Sequence, residues 1–288
     1  MKEDSRGITP KVTKGKISSM IAEWSSKTKN PFISFEYFPP KTPEGVEKLH
    51  KVISTMAEQD PLFMDMTWGA GGATSDLTLD ISAKSQARHD VMVNMHLTCT
   101  NQVKEKCDFG LNGAKAAGIC NIVALRGDPP KGQEKWEVTE GGFACALDLV
   151  KYTRANYGDY FSLQVSGYPE GHPDVIKPVA DLGRPLTASE KMRLVYMDGK
   201  EYVCSDEDMK GEIAYLKQKI DAGGDVIITQ VCFRRRPLAD PRRPLPTPHS
   251  MCLSAPLPAA SCTAEPPSCR RPLRFRSSST TSKSSPSG

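Results

Sequence analysis

The sequence predicts an α/β fold, a (β/α)8 barrel represented by about six of its eight strand-helix units. Three observations carry that prediction. Apolar or β-branched runs of strand length recur at 32–40, 62–69, 91–98, 121–130, 161–169 and 225–230. Each run ends in a polar side chain: Glu36, Thr67, His96, Asp128, Tyr168 and Gln230. Segments of helical length separate the runs, so the strands can lie parallel and deliver their last side chains to one shared face.

Residues 1–30 form a polar, basic extension in which 17–24 is amphipathic and is expected to pack outside the barrel as a helix. Pro39 and Pro40 stop the first strand, and Thr42 followed by Pro43 reads as an N-cap and first helical residue. Val46, Leu49, Val52, Ile53 and Met56 then share one face at the spacing that packs on a sheet. The second strand runs into Trp68-Gly69-Ala70-Gly71-Gly72, where the glycines either admit a ligand close to the backbone or simply make a strand-to-helix turn. Their spacing is not that of a GxGxxG loop, so a Rossmann dinucleotide site is not supported. A helix over about 101–117 stops at Gly118 before the fourth strand, which ends in Arg126-Gly127-Asp128 and is closed by Pro129 and Pro130. Residues 131–141 are too polar for a core and read as a loop over the catalytic face. A helix over 142–156, with Ala146, Leu149, Val150 and Tyr152 as packing candidates, leads to the fifth strand. From 169 to 206 the sequence wanders through Gly, Pro and charge, apart from a hairpin pattern around Asp198-Gly199. A helix over 209–222 ends at Gly223-Gly224, and the sixth strand ends at Gln230. The two further units needed to close eight are absent.

Composition divides the chain at one point. Residues 1–230 carry 28 Lys and Arg against 32 Asp and Glu, a balance of −4, whereas 231–288 carry 10 against 2, a balance of +8. The organisation read from this is a polar extension over 1–30, a partial barrel over 31–230 and a Pro/Ser/Arg-rich tail over 231–288. The tail is too poor in apolar periodicity to offset chain entropy, so it is expected to be disordered, or to come from a nonnative frame or splice after Gln230. Arg234-Arg235-Arg236 lacks interleaved aromatics and a recognition motif, which argues against nucleic acid. The amino terminus has no apolar signal segment and no run has membrane-spanning length, so a cytoplasmic location is expected. The nine cysteines include no CxxC pair and no zinc spacing, so no metal site is expected and reduced thiols are.

Several residues have both a chemical and a plain reading. Glu36 lies between Phe35 and Tyr37; a carboxyl there is costly to ionise, as a general acid near neutrality requires, or else it faces out to pair with a surface lysine. Asp128 is either functional at a strand end or an ion-pair partner of Arg126. Taken singly, His96 reads as a satisfied core histidine, Thr67 as a sheet hydroxyl and Tyr168 as a rim aromatic.

Taken together, the motifs Ser34-Phe35-Glu36-Tyr37-Phe38-Pro39-Pro40, His96-Leu97-Thr98-Cys99, Ala124-Leu125-Arg126-Gly127-Asp128-Pro129, Glu140-Gly141-Gly142-Phe143, Gly167-Tyr168-Pro169-Glu170-Gly171-His172-Pro173 and 221–230 closely resemble methylenetetrahydrofolate reductases. The resemblance runs in order from about 31 to 230, and Asp65-Met66-Thr67-Trp68 looks like the eukaryotic branch. It implies FAD bound across the strand ends, contacted by Thr67, Trp68, Ala70, His96, Arg126, Gly127, Asp128, Ala146, Tyr168 and His172, with Glu212, Tyr215 and Lys219 matching further flavin positions. It implies NAD(P)H as reductant and methylenetetrahydrofolate as acceptor in a ping-pong cycle yielding 5-methyltetrahydrofolate. Glu36 would be the proton donor for opening of the folate ring. Asp128 would hold the pterin and stabilise the developing cation, and Gln230 would bind the pterin. The family also implies a homo-oligomer. After Gln230 the resemblance ends, so the chain as written is expected to fold poorly and have little activity, or to act as a nonenzymatic fragment that associates with full-length subunits.

Overall fold

A computed structural model describes residues 10–69, 74–99, 101–128 and 138–230. The expectations for the tail, for Ala70 and for most of the loop after Asp128 concern residues outside that set. Six strands form one parallel sheet: β1 (Ser34–Tyr37), β2 (Phe63–Met66), β3 (Met92–Thr98), β4 (Asn121–Leu125), β5 (Ser162–Gly167) and the last strand among the described residues, β9 (Val226–Thr229), in that order. Among the described residues the sheet is open, with β1 and β9 at its edges. This is the partial (β/α)8 barrel expected.

Alternation along the strands divides their side chains between two layers. Met95, Leu97, Ile122, Ala124, Leu163 and Val165 face the helices and are fully buried against α4 (Lys104–Ala116) and α5 (Ala146–Tyr157). Tyr37, Met64, Met66 and Val93 pack likewise with Ile53 of α2 (Pro43–Ala57) and Ile81 of α3 (Ser75–His89). The intervening positions, Asp65, Asn94, Asn121, Ser162 and Gln164, are polar yet buried, and line the opposite face. Val52 does not join the packed face of α2 but stands 50% exposed. Thr42 caps α2 as the sequence indicates, its hydroxyl accepting from the Gly45 amide at 3.1 Å.

The amphipathic segment over 17–24 forms helix α1 (Ile17–Lys27), which packs across the amino-terminal ends of the strands, with Ile17, Met20, Ile21 and Trp24 buried against Leu62, Phe63 and Val226. The helix lacks a side-chain cap of its own. Asn121, at the start of β4, supplies one from a distance: its Oδ1 accepts from the Ile17 amide at 2.7 Å and its Nδ2 donates to the Gly15 carbonyl at 3.1 Å.

The irregular stretch before the last strand is also more ordered than its composition indicates. It builds a three-stranded antiparallel sheet from β6 (Ile176–Pro178), β8 (Lys200–Cys204) and β7 (Val195–Met197), with the short α6 (Ala188–Met192) beside it. The expected hairpin joins β7 to β8: Asp198 at φ 49° and Gly199 at φ 74° occupy the left-handed turn that matches strand twist. Buried Glu190 holds the unit together, pairing with Arg184 at 2.7 Å and accepting from the amides of Thr187 and Asp206, both at 2.9 Å. Helix α7 (Asp206–Asp221) returns the chain to β9, capped by Ser205 and with Asp206, Glu207 and Asp208 in its first turn.

Candidate active site

Parallel, in-register pairing places the carboxyl ends of six strands on one rim. The ladder continues past the strands: the Thr67 amide donates to the Tyr37 carbonyl at 3.0 Å and the Gln230 amide to the Gly167 carbonyl at 2.9 Å. Glu36, Thr67, His96, Arg126, Gly127, Asp128, Tyr168 and Gln230 therefore share the rim, as the sequence pattern requires.

Glu36 does not sit in an aromatic enclosure. Phe35 and Tyr37 turn to the helix layer, and the Glu36 side chain on edge strand β1 is 50% exposed, so the desolvation expected of it lacks its cause. Its neighbour is His96, whose Nδ1 lies 3.9 Å from Glu36 Oε1. The other ring nitrogen, Nε2, stands 3.3 Å from Oδ1 of buried Asp65, which also accepts from Asn94 Nδ2 at 2.7 Å. Asp65 and Asn94 are the residues a reading of strand ends alone passes over. A carboxylate two positions before Thr67 falls on the same strand face, and that was the available signal.

The fourth strand end is shaped by Gly127, whose φ of 92° is a left-handed conformation that favours glycine, between Arg126 and exposed Asp128. Arg126 Nη1 reaches Asp174 Oδ2 at 3.3 Å, so the arginine has an ion-pair partner in Asp174. Asp174 also binds His172: its amide donates to His172 Nδ1 at 3.2 Å. The His172 ring packs edge-on against Tyr168 with centroids 4.7 Å apart, and burial pushes the imidazole below its ordinary pKa.

On α7, Glu212, Tyr215 and Lys219 are spaced three and four apart and so share a face. Lys219 is 3% exposed, its ammonium donating to the Ser166 carbonyl at 2.6 Å and lying 4.9 Å from the centre of the Tyr215 ring. Burial pushes it down to about 8, and burial raises Glu212. Ala146 opens α5 and is buried at that helix's amino terminus. Trp68 is placed differently from its neighbours: its indole lies in the helix layer over Gly110 and against Leu97, with Nε1 buried and without a hydrogen-bond partner among the described residues. Any ligand contact from Trp68 would come from its backbone.

A family model for methylenetetrahydrofolate reductase matches residues 21–238. The chain belongs to the methylenetetrahydrofolate reductase family. It is 47% identical over 218 residues to methylenetetrahydrofolate reductase (NADH) 1 of Zea mays, covering 76% of this chain and 33% of the relative. To methylenetetrahydrofolate reductase (NADH) 1 of Arabidopsis thaliana it is 48% identical over 200 residues, 69% of this chain and 30% of the relative. To methylenetetrahydrofolate reductase 2 of Saccharomyces cerevisiae it is 40% identical over 220 residues, 76% and 32% respectively. The chain thus spans about a third of the length of these relatives. No helix among the described residues is long and apolar enough to cross a membrane.

Proposed function

We propose that this chain carries the catalytic face of a flavin-dependent methylenetetrahydrofolate reductase, in which NAD(P)H is the reductant and 5-methyltetrahydrofolate the product. The observation that supports it is the convergence on one rim of Glu36, His96, the Arg126-Gly127-Asp128 turn and Tyr168 from separate parallel strands. The donor set also fits FAD. Lys219 is a buried cation held by the Ser166 carbonyl, which suits an anionic diphosphate, and Arg126 and His172 flank the approach from β4 and β5. Thr67, Ala70, His96, Gly127, Asp128, Ala146, Tyr168, Glu212, Tyr215 and the Trp68 backbone complete the residues assigned to it. FAD supplies the two-electron transfer between nicotinamide and folate. The two plant relatives carry NADH in their names, which makes NADH the first nucleotide to test.

The chain's own residues do the rest. Glu36 delivers a proton to the folate nitrogen released when the five-membered ring opens. Asp128 places negative charge where positive charge develops, and Gln230 hydrogen-bonds the pterin; fixed charge of this kind acts most strongly where water is excluded. Because Glu36 stands half exposed on an edge strand, water is not excluded from it, and turnover is expected to be low. Flavin uptake is therefore the sharper test. Purified with FAD, the full chain should take up one flavin with quenched fluorescence, and NADH should bleach it anaerobically. A folded, monodisperse chain that leaves FAD free would overturn the assignment.

A further inference from the structure

We propose that Asp65 is a positioning residue for His96: its carboxylate holds the imidazole in the Nε2–H tautomer and leaves Nδ1 without a proton on the side facing Glu36. The inference rests on the catalytic reading above for its consequence but not for its geometry.

The geometry begins with strand register. Glu36 of β1 lies beside Asp65 of β2, and Asp65 beside Asn94 of β3, so the three share one sheet face with His96 two positions on. Asp65 is buried, and an ionised carboxylate there must accept hydrogen bonds to offset its desolvation. Asn94 Nδ2 provides one at 2.7 Å and His96 Nε2 the other at 3.3 Å. A carboxylate only accepts, so Nε2 must carry the proton; the opposite tautomer would set a lone pair against a buried anion. The imidazole is itself 14% exposed, which leaves it little water as an alternative partner.

The consequence falls on Glu36. Among the described residues, Asp65 and Glu36 are the carboxylates within ion-pair reach of His96. Were Nδ1 protonated, it would point a donor at Glu36 from 3.9 Å and favour the carboxylate. A proton donor must instead hold its proton until the folate nitrogen takes it. With Nδ1 bare, the ring edge nearest Glu36 carries a lone pair rather than an N–H dipole, so at 3.9 Å it does not electrostatically favour the carboxylate. Asp65 thus acts on the proton of Glu36 through the intervening ring.

Flavin-free protein suffices for the decisive measurement. Long-range proton–nitrogen spectra of the imidazoles, recorded on the full chain above the histidine titration range with His96→Asn identifying the signal, should show pyrrole-like Nε2 and pyridine-like Nδ1. The Nε2 proton should exchange slowly enough to be seen directly, as one held by a buried carboxylate does. In Asp65→Asn the new amide can donate to Nε2, so the signal should move to Nδ1–H. An Nδ1–H tautomer, or a freely exchanging Nε2 proton, in the wild-type chain overturns the proposal whether or not the variant folds. In flavin-loaded protein, Asp65→Asn should slow the folate half-reaction about tenfold to a hundredfold and leave reduction by NADH within about twofold. Equal loss in both halves would reduce Asp65 to a structural role, and a wild-type chain that takes up no flavin would overturn the catalytic reading while leaving the tautomer result standing.

Discussion

The Lys219 ammonium donates to the Ser166 carbonyl at 2.6 Å, binding α7 to the carboxyl end of β5 with a charge that is almost wholly buried. Burial lowers its pKa from 10.5 to about 8, and the sign of the consequence follows from which state holds the proton. Below the folded value both states are protonated and the folded chain bears the desolvation cost. Between about 8 and 10.5 only the unfolded chain keeps the proton, so stability rises with pH across that window, by about 3 kcal/mol in total. Binding of a diphosphate requires the charged form, so FAD affinity should fall as pH passes about 8. Lys219→Met should abolish both trends, checked by denaturant titration and flavin fluorescence on either side of that value, read as the difference between wild type and variant.

Asn121 is expected to matter more than a strand asparagine usually does. Its side chain replaces the missing cap of α1 through two hydrogen bonds, to the Ile17 amide and the Gly15 carbonyl. Asn121→Ala leaves a buried amide without its partner and should cost about 1–3 kcal/mol by equilibrium unfolding. Hydrogen exchange should locate the loss in 15–24 and leave the α4 and α5 helices unchanged.

Glu190 should make the antiparallel unit acid-labile. Its Arg184 partner and the amides of Thr187 and Asp206 hold the carboxyl well below the usual range near 4.5. A depressed folded pKa means stability present at neutral pH and lost as pH falls below the unfolded value toward the folded one. Exchange of amides in 176–204 should quicken below about pH 4.5 before the parallel sheet opens. Glu190→Gln should show more than tenfold faster exchange there at neutral pH, since bonds to a charged group exceed 1.4 kcal/mol.

What the sequence made legible follows from the range of the interactions involved. Six parallel strands were readable because apolar runs, breakers and helical periods are local signals, and the Asp198-Gly199 hairpin was readable because its turn chemistry is local too. The berth of α1 was not, since it depends on Asn121 and Val226, far along the chain. Nor was the sheet around Glu190, whose cohesion comes from charged pairs rather than apolar alternation. At the site, the strand-end pattern placed Glu36 and His96 at the ends of β1 and β3, where the two side chains lie 3.9 Å apart. Asp65 escaped because, although level with Glu36, it lies two positions before the polar end of its own strand at Thr67, and the indole of Trp68 because its direction is set by the gap over Gly110.

Glu36→Gln separates proton delivery from every other role of that position. Glutamine keeps the size and much of the hydrogen bonding of glutamate but has no acidic proton to give. Reduction of bound flavin by NADH involves no ring opening, so that half-reaction should stay within about twofold of wild type. The folate half-reaction should fall by about a hundredfold or more, the range lost when a positioned general acid is removed. Single-turnover measurements, with flavin absorbance followed anaerobically in each half separately, keep low overall turnover from hiding the difference. His96 makes the comparison sharper: at 3.9 Å it sits beyond direct hydrogen-bond reach of Glu36, so the substitution should leave its tautomer and the Asp65 contact intact. A parallel loss in both halves would mean that Glu36 supports the rim's shape, and that the proton comes from elsewhere.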